Sequence, residues 1–301
     1  MIVYSTVSTK GGVGKSTLTA NLGALLADIG MRVLLIDADV QPSLSRYYPI
    51  AKRARHGLTQ MIKQGALTDD CISTIDFALA PMPLRRQPRL NPNGCLDIVI
   101  SDAPQGTLQD WLAPRMDSAL RIKLALRSPL LHEHYDVVLI DTQGAVGHLQ
   151  DAAVLAADVL LSPISPDILS AREFLSGTEE LLNRVETAAA FGISVPQMLA
   201  MIYRHENTRD AREIGKAICE SYQQLKCKVL LLKTVIPHAV AYRNAATAQV
   251  PVHWVDPVKA CPAMHALLWE LIPSLDGIHA GVPPGAPCEV GGDHDAQNAI
   301  A

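Results

Sequence analysis

The sequence predicts an α/β fold in which helices flank a doubly wound, mostly parallel sheet. Short apolar runs alternate with longer segments of helical periodicity, as in chains built from βα units. Several runs are apolar almost throughout, which is typical of strands buried on both faces of a parallel sheet. With 301 residues, 49% of them hydrophobic, the chain is long enough for one large domain or at most two.

The predicted strands recur along most of the chain. The first, residues 2–8, is rich in β-branched residues and ends at glycines, and the second, residues 32–37, is an apolar run that ends in aspartate. Later runs of the same kind predict strands at 96–100, 135–141, 158–163, 197–203 and 229–236.

Helical patterns fill most of the gaps between these strands. After the first strand, one helical face is apolar until Gly30 ends the pattern, and it consists of Leu18, Leu22, Leu25, Leu26 and Ile29. Further helices are predicted at 148–157, 167–187, 206–222 and 263–272. Residues 42–95, which hold many prolines and arginines, contain one clear helix around 57–65.

The composition favours a single domain over residues 1–275. Residues 276–301 are rich in glycine, proline, alanine and polar residues, and we expect them to be disordered. The six cysteines form no C-x-x-C pair, so zinc and iron–sulfur motifs are excluded. No basic leader precedes the first strand, and no apolar run approaches the ~18 residues of a membrane span. We therefore expect a cytoplasmic protein.

The segment STKGGVGKST, residues 8–17, joins the first strand to the first helix and predicts a phosphate-binding loop. Its glycines allow backbone N–H groups to converge on phosphate oxygens at a helix N-terminus. Lys15 is expected to reach the β- and γ-phosphates, Ser16 to bind Mg²⁺ and Thr17 to lie near the α-phosphate. The predicted nucleotide-binding residues of the loop are Gly11, Gly12, Val13, Gly14, Lys15, Ser16 and Thr17.

Three aspartates follow predicted strands. Asp37 and Asp39 come at the end of one apolar run, and Asp141 ends another. Because ligands gather at the carboxyl ends of parallel strands, we expect these aspartates to cluster beside the loop. Magnesium requires oxygen ligands, so the cluster predicts a magnesium site.

The loop departs from the usual G-x-x-x-x-G-K-[ST] pattern, because Thr9 replaces its first glycine and a second lysine, Lys10, follows. The motifs KGGVGKST, DADVQPS and IDTQG together resemble the ParA/Soj/MinD group of deviant Walker ATPases. The segment TVIPHAVAYRNAATAQVPV also resembles a late part of ParA/Soj proteins. The resemblance covers about residues 1–275 and implies a P-loop NTPase fold of the deviant Walker A type, with ATP and Mg²⁺ bound.

The resemblance also implies a mechanism. In this group two ATP-bound subunits dock face to face, so a homodimer is expected in the ATP state, with Lys10 reaching the partner's nucleotide. Lys10 and Lys15 are then expected to stabilise the charge that develops as the phosphoryl group passes to water. Hydrolysis becomes a release switch.

Further roles are implied residue by residue. Asp39 matches the residue that activates the attacking water, and Asp37 and Asp141 match magnesium-site residues that act through waters. Pro237 and His238 match a segment that packs near adenine. Gln143 and Gly144 depart from the commoner D-x-P-P form, so the switch after this strand is expected to move differently.

The group divides by cargo, and the sequence favours DNA partition. The tail lacks the Lys-rich amphipathic helix of membrane-binding members, paired cysteines are absent, and one loop is present where arsenite-pump proteins have two. Residues 201–243 carry eight basic and four acidic residues, a net +4 in a chain whose net charge is -4. Such a stripe predicts nonspecific double-stranded DNA binding. The best candidates are Arg209, Lys233 and Arg243.

The first strand begins at residue 2, so we expect no helix-turn-helix domain that would bind an operator. The expected partner is a ParB-type centromere-binding adaptor that stimulates hydrolysis, and the expected location is the nucleoid. Two alternatives stay open. One is a MinD-like or polarity-type positioning ATPase on a protein or membrane scaffold, and the other is a small-molecule P-loop ligase or kinase.

Overall fold

The computed structural model describes residues 1–8, 11–81, 90–102, 106–144, 146–166, 168–189, 192–206, 213 and 229–280. In this part of the chain the strands are β1 (Ile2–Thr6), β2 (Arg32–Ala38), β3 (Ile50–Lys52), β4 (Ser73–Ile75), β5 (Cys95–Val99), β6 (Val137–Thr142), β7 (Val159–Ile164), β8 (Gln197–His205), β9 (Val229–Leu231) and β10 (Ile236–Pro237).

All the described strands belong to one sheet, whose order is β10-β8-β7-β1-β6-β2-β5-β4-β3, with β9 also pairing with β8. Every pairing is parallel except β3 with β4 and β4 with β5. The predicted doubly wound, mostly parallel sheet is thus confirmed. The central strands β1, β6 and β2 place their carboxyl ends side by side, and this edge carries the predicted aspartates.

The helices cover both faces of the sheet. Their bounds are α1 (Lys15–Asp28), α2 (Leu58–Gln64), α3 (Thr107–Leu112), α4 (Arg121–Ala125), α5 (Pro129–His134), α6 (His148–Ala156), α7 (Ile168–Ala189), α8 (Val240–Ala248), α9 (Val252–Val255) and α10 (Ala260–Leu271). None of the described helices is both long and apolar enough to cross a bilayer.

Two buried clusters form the core, one on each face. Side chains of β2 alternate between them: Leu34 and Ile36 pack with residues of α2 to α7, whereas Val33 and Leu35 pack with residues of α1, α8, α9 and α10. This alternation follows from the two-residue period of a strand. A strand buried on both faces has no polar side, which is why these runs are apolar throughout.

Several predicted elements differ in the structure. The strand predicted at 229–236 is two short strands, β9 and β10, which both pair with β8. Residues 42–95 add β3 and β4, which are three residues long, to the predicted helix α2. Of the helix predicted at 206–222, only residues 206 and 213 are described, and of these residue 213 is helical and residue 206 is not.

The predicted tail, residues 276–301, begins against α10. Trp269 of this helix donates a hydrogen bond to the carbonyl of Ile278 (3.2 Å), and the N–H of Ala280 donates to Nε2 of His265 (3.0 Å). The ring of His279 lies 4.9 Å from that of Trp269. The first residues of the predicted tail therefore pack on the domain, and residues 281–301 lie outside the described part of the chain.

Candidate functional site

The loop predicted to bind phosphate connects β1 to α1. Gly12 and Gly14 have φ angles of 76° and 103°, in the left-handed region that favours glycine. A Cβ atom on Gly14 would also overlap the buried ring of Tyr203. Because Gly14 is the N-cap of α1, the loop ends at a helix N-terminus that favours anions.

A cavity of about 690 Å³ opens above this loop. Its described lining contains most of the predicted loop residues and adds side chains that the sequence did not indicate. The lining residues are Gly11, Gly12, Gly14, Lys15, Ser16, Thr17, Asp39, Val40, Gln41, Ser43, Tyr47, Gln143, Gly144 and Arg204. Predicted Val13 is instead buried, and Pro237 and His238 are not among the described lining residues.

Asp141 is fully buried at the centre of the carboxyl edge of the sheet. It pairs in register with Asp37 of β2, so the two acidic side chains stand on adjacent strands at the same level. Neither carboxylate oxygen of Asp141 has a hydrogen bond of ordinary geometry to a described residue, although Ser16 lies close enough to lower its pKa. Burial, reinforced by the charge of Asp37, raises the pKa of Asp141 to about 8.

Lys15 occupies the same buried region. It is 7% exposed, and burial lowers its pKa, whereas the charges of Asp141 and Asp39 oppose this change. An amine and a carboxyl group are therefore held in a site that has removed much of the water that would stabilise their charged forms. A triphosphate with its metal ion would supply the missing opposite charges.

Asp37 is equally buried, but both of its carboxylate oxygens accept hydrogen bonds. Oδ2 accepts hydrogen bonds from the N–H of Ser45 (2.7 Å) and from its hydroxyl (2.6 Å), and Oδ1 accepts one from the N–H of Asp39 (3.3 Å). Burial raises the pKa of Asp37 to about 6, and these hydrogen bonds oppose the shift. Asp37 is thus placed to support the site by its charge.

Asp39 is half-exposed and faces the cavity. Its Oδ1 accepts a hydrogen bond from the N–H of Gln41 (2.9 Å), and its carbonyl accepts one from the hydroxyl of Ser101 (2.5 Å). The second carboxylate oxygen has no hydrogen-bond partner among the described residues. This geometry leaves an acceptor near the phosphate loop, as the predicted role of Asp39 requires.

The residues fit a magnesium ion that arrives with phosphates. Asp141 is a bare buried carboxylate beside the Ser16 hydroxyl, and oxygen ligands are those that magnesium prefers. Within the described part of the chain, no group of three His, Cys, Asp or Glu residues could hold a metal unaided. Magnesium commonly takes one or two carboxylates and completes its shell with substrate phosphates and water.

Other predicted residues fall outside this cavity or outside the described chain. Lys10 and Arg209 lie outside the described residues. Lys233 and Arg243 are exposed, on the β9–β10 connection and on α8. Their roles stay predictions.

The sequence missed Tyr47 and Arg204. Tyr47 accepts a hydrogen bond from Nδ2 of Asn21 (3.0 Å), which fixes its ring beside α1. Arg204 donates to the carbonyl of Gly12 (2.9 Å). Neither residue belongs to a recognisable motif, because its position depends on pairing and packing between distant segments.

The family model described as an AAA domain matches residues 1–191. The chain belongs to the AAA domain family. This AAA domain protein is 26% identical to a probable plasmid-partitioning protein ParA of Thermus thermophilus, over 90% of this chain and 78% of the relative. It is 28% identical to the sporulation initiation inhibitor protein Soj of Bacillus subtilis, over 85% of this chain and 91% of the relative.

The fold of the AAA domain protein has solved counterparts. Apo McdA of Cyanothece superposes with a TM-score of 0.71 at 22% identity, over 90% of this chain and 99% of McdA. An ATP complex of a variant of the same protein gives a TM-score of 0.68 at 21% identity, over 90% of this chain and 96% of the counterpart. The prediction of a ParA/MinD-type ATPase is confirmed.

Proposed function

We propose that this chain is an ATP-dependent DNA partition ATPase. Binding of ATP and Mg²⁺ drives two copies to dimerise and to bind DNA without sequence preference, and hydrolysis releases them. The observation that carries this proposal is the phosphate loop at the start of α1, facing a buried carboxylate without a described hydrogen-bond partner. The relatives named as partitioning and Soj proteins support the choice of cargo.

The loop holds the triphosphate of ATP. Backbone N–H groups and Lys15 take the phosphate oxygens, and Ser16 and Asp141 hold the magnesium ion. When bound, the ion neutralises phosphate charge and fixes the geometry of the phosphate chain. Asp39 orients the attacking water, since its carboxylate faces the cavity. The phosphoryl group passes to this water, giving ADP and phosphate.

Dimerisation brings a second copy to the open side of the loop. Gly11 and Gly12 are exposed, so the surface beside them is accessible to a partner subunit. Lys10 immediately precedes these glycines, and in the proposed dimer its ammonium reaches the partner's triphosphate. ATP then links the two copies, because the negative charge of each triphosphate is fully neutralised only when the second copy supplies its Lys10 at the interface.

The DNA surface lies on the C-terminal part of the chain. Lys233 and Arg243 are exposed. Neither forms an ion pair with a described residue, although the carboxylate of Glu270 accepts a hydrogen bond from the backbone N–H of Lys233 (2.7 Å). Together with Arg209 they belong to the segment of net charge +4. Phosphate contacts of this kind give binding that weakens steeply as salt is added. A ParB-type adaptor then stimulates hydrolysis on the nucleoid.

Cosedimentation with random-sequence DNA tests this proposal. We expect the protein to bind DNA in the presence of ATP and Mg²⁺ and to bind it weakly with ADP. The binding should weaken as the salt concentration rises and should be lost in Lys10→Ala. The matched control is Lys63→Ala, which alters an exposed lysine on α2. Binding that ignores the nucleotide would contradict DNA partition, whereas ATP turnover that requires a small acceptor would favour the ligase or kinase alternative. Recruitment to lipid vesicles or to a protein scaffold instead of DNA would favour a positioning ATPase.

Asp39→Ala tests the mechanism separately. The variant is expected to bind ATP and to persist as a dimer, since it lacks only the group that orients water. Sedimentation velocity with ATP and Mg²⁺ measures the dimer, and phosphate release measures turnover, which should fall about 100-fold. Turnover at the wild-type rate would remove Asp39 from the mechanism, and loss of ATP binding would make it a structural residue.

A further inference from the structure

Arg204 has an unusual backbone conformation beside the phosphate loop. Its φ angle is 60°, in the left-handed region that residues other than glycine rarely adopt. The parallel pairing of β10 with β8 shifts register at this point, with Ile236 opposite Tyr203 and Pro237 opposite His205. Arg204 is therefore the extra residue of a β-bulge, a feature that redirects a side chain and recurs next to active sites.

The redirected side chain crosses to the loop. One Nη of Arg204 donates a hydrogen bond to the carbonyl of Gly12 (2.9 Å), although the two residues are 192 positions apart in the chain. Arg204 is also one of the residues that line the cavity above the loop. The bulge thus brings a guanidinium from the end of β8 to a loop that contains Gly11, Gly12 and Gly14.

The bond to Gly12 constrains the loop. A peptide unit is planar and trans, so its carbonyl and the following N–H point in opposite directions. Holding the Gly12 carbonyl therefore also sets the direction of the Val13 N–H in the middle of the loop. Gly12 itself has a φ of 76° and an exposed position, so its conformation has few other constraints.

We propose that Arg204 is a positioning residue of the nucleotide site, which fixes the Gly12 peptide so that the loop is preorganised for phosphate. The proposal rests on the proposed function, since it assumes that the loop binds a nucleotide. Strain at a bulge is retained where the surrounding structure uses it, and here the strained residue makes a contact to the loop. Preorganisation spares the ligand the cost of ordering the loop, so affinity depends on the bond.

Four variants test the proposal by titration with a fluorescent (methylanthraniloyl) ATP and ADP in the presence of Mg²⁺. Arg204→Ala is expected to weaken both nucleotides about tenfold, because the loop that holds the phosphates common to ATP and ADP loses its hydrogen bond. Arg204→Gln can still donate to the Gly12 carbonyl and should restore most of the affinity. Arg204→Lys keeps the charge without the planar donor and should restore less.

The backbone supplies a further readout. Arg204→Gly lacks the same hydrogen bond as Arg204→Ala but relieves the left-handed strain, so it should melt at a higher temperature than Arg204→Ala while binding nucleotide equally poorly. If the Arg204 side chain served only stability, the nucleotide affinity of the variants would rise and fall with their melting temperatures, and Arg204→Gly would bind more tightly than Arg204→Ala. Arg53→Ala, at an exposed arginine just after β3, is the matched control.

The outcomes separate this inference from the proposed function. Wild-type protein that binds neither nucleotide would overturn both. Wild-type binding with an unchanged Arg204→Ala would overturn the inference alone. Restoration by lysine but not by glutamine, or a loss confined to ATP, would also overturn it, because either result would mean that the guanidinium acts on a phosphate rather than on Gly12.

Discussion

A buried aspartate lies at each end of α1, Asp28 within the helix and Asp141 on the neighbouring strand β6, and the two side chains differ in their hydrogen bonds. At the C-terminal end, Asp28 is 4% exposed and accepts hydrogen bonds from Nε2 of His253 (3.0 Å), Nε1 of Trp254 (2.9 Å) and the N–H of Asn91 (3.3 Å). Beside the N-terminal end, Asp141 is fully buried and has no such bond to a described residue.

This difference separates a stabilising site from a binding site. A buried carboxylate that is fully hydrogen-bonded ties distant segments together, and Asp28 joins α1 to residues about 225 positions later in the chain. A bare buried carboxylate costs stability unless a ligand completes it. Asp141 therefore indicates where the protein gives up stability for binding.

The largest expected effect is the loss of activity in Lys15→Ala at the N-terminal end. The variant removes the ammonium that contacts phosphate, so ATP turnover should fall at least ~100-fold. Stability should change little, because burial already disfavours the charged form of this lysine. Phosphate release and urea unfolding measure the two quantities. Near-normal turnover would show that this end of α1 is not the nucleotide site.

At the other end, Asp28→Ala should reverse this pattern. It leaves His253 and Trp254 without their buried acceptor, so we expect the free energy of unfolding to fall by about 3 kcal/mol. ATP turnover per folded molecule should persist, because Asp28 lies a full helix length from the loop. Urea unfolding followed by tryptophan fluorescence gives the stability. If Asp28→Ala kept its stability and lost ATP turnover, Asp28 would serve the nucleotide site and the proposed difference between the two ends of α1 would be wrong.

Asp141→Asn tests the cost of the bare carboxylate through pH. The native pKa of about 8 exceeds the ordinary aspartate pKa of 3.8, so between these pH values the native state holds a proton that the unfolded state releases. The stability from this group is present below pH 4 and is lost as the pH rises through about 8. At pH 9 without ligand, the asparagine variant should therefore be more stable than wild type by an amount on the order of 1–3 kcal/mol.

The two proteins should approach each other in stability near pH 4, and Asp37→Asn provides a comparison with a carboxylate that is already hydrogen-bonded. If Asp141→Asn lowered the stability at every pH, Asp141 would accept hydrogen bonds from residues outside the described part of the chain, and its carboxylate would not be bare.

The smallest expected effect concerns a single donor at the satisfied end. Trp254→Phe removes the Nε1–H that reaches Asp28 but keeps most of the aromatic contact with Phe77. A loss of about 1 kcal/mol is expected in urea unfolding, the usual contribution of one hydrogen bond. A loss as large as that of Asp28→Ala would mean that packing of the ring, rather than the hydrogen bond, holds this end of the helix.

Sequence patterns were enough to predict which residues lie together near the N-terminal end of α1. The glycines of the loop and the apolar runs that end in Asp37 and Asp141 are local signals, and a parallel sheet necessarily brings such strand ends together. The fold class followed from the same runs. Short or irregular pieces were missed, because three-residue strands such as β3 and β4 are too short to show a period.

Features that depend on distant pairing could not be predicted. The partners of Asp28 are far away in the chain, so nothing near residue 28 indicates that its carboxylate is satisfied. Arg204 reaches the loop because the pairing of β10 with β8 shifts register at this residue. This shift could not be predicted, because the sequence pattern predicts one continuous strand where the structure has the separate strands β9 and β10. Ser45, which donates hydrogen bonds to the carboxylate of Asp37, lies in a segment without a clear sequence pattern.

Calorimetric titration of ATP with and without Mg²⁺, in wild type and in Asp141→Asn, tests most directly whether the bare carboxylate is kept for the nucleotide's metal ion. Magnesium should strengthen ATP binding to the wild type, and the asparagine variant should lose about tenfold or more of that gain. Equal strengthening by magnesium in both proteins would contradict the account.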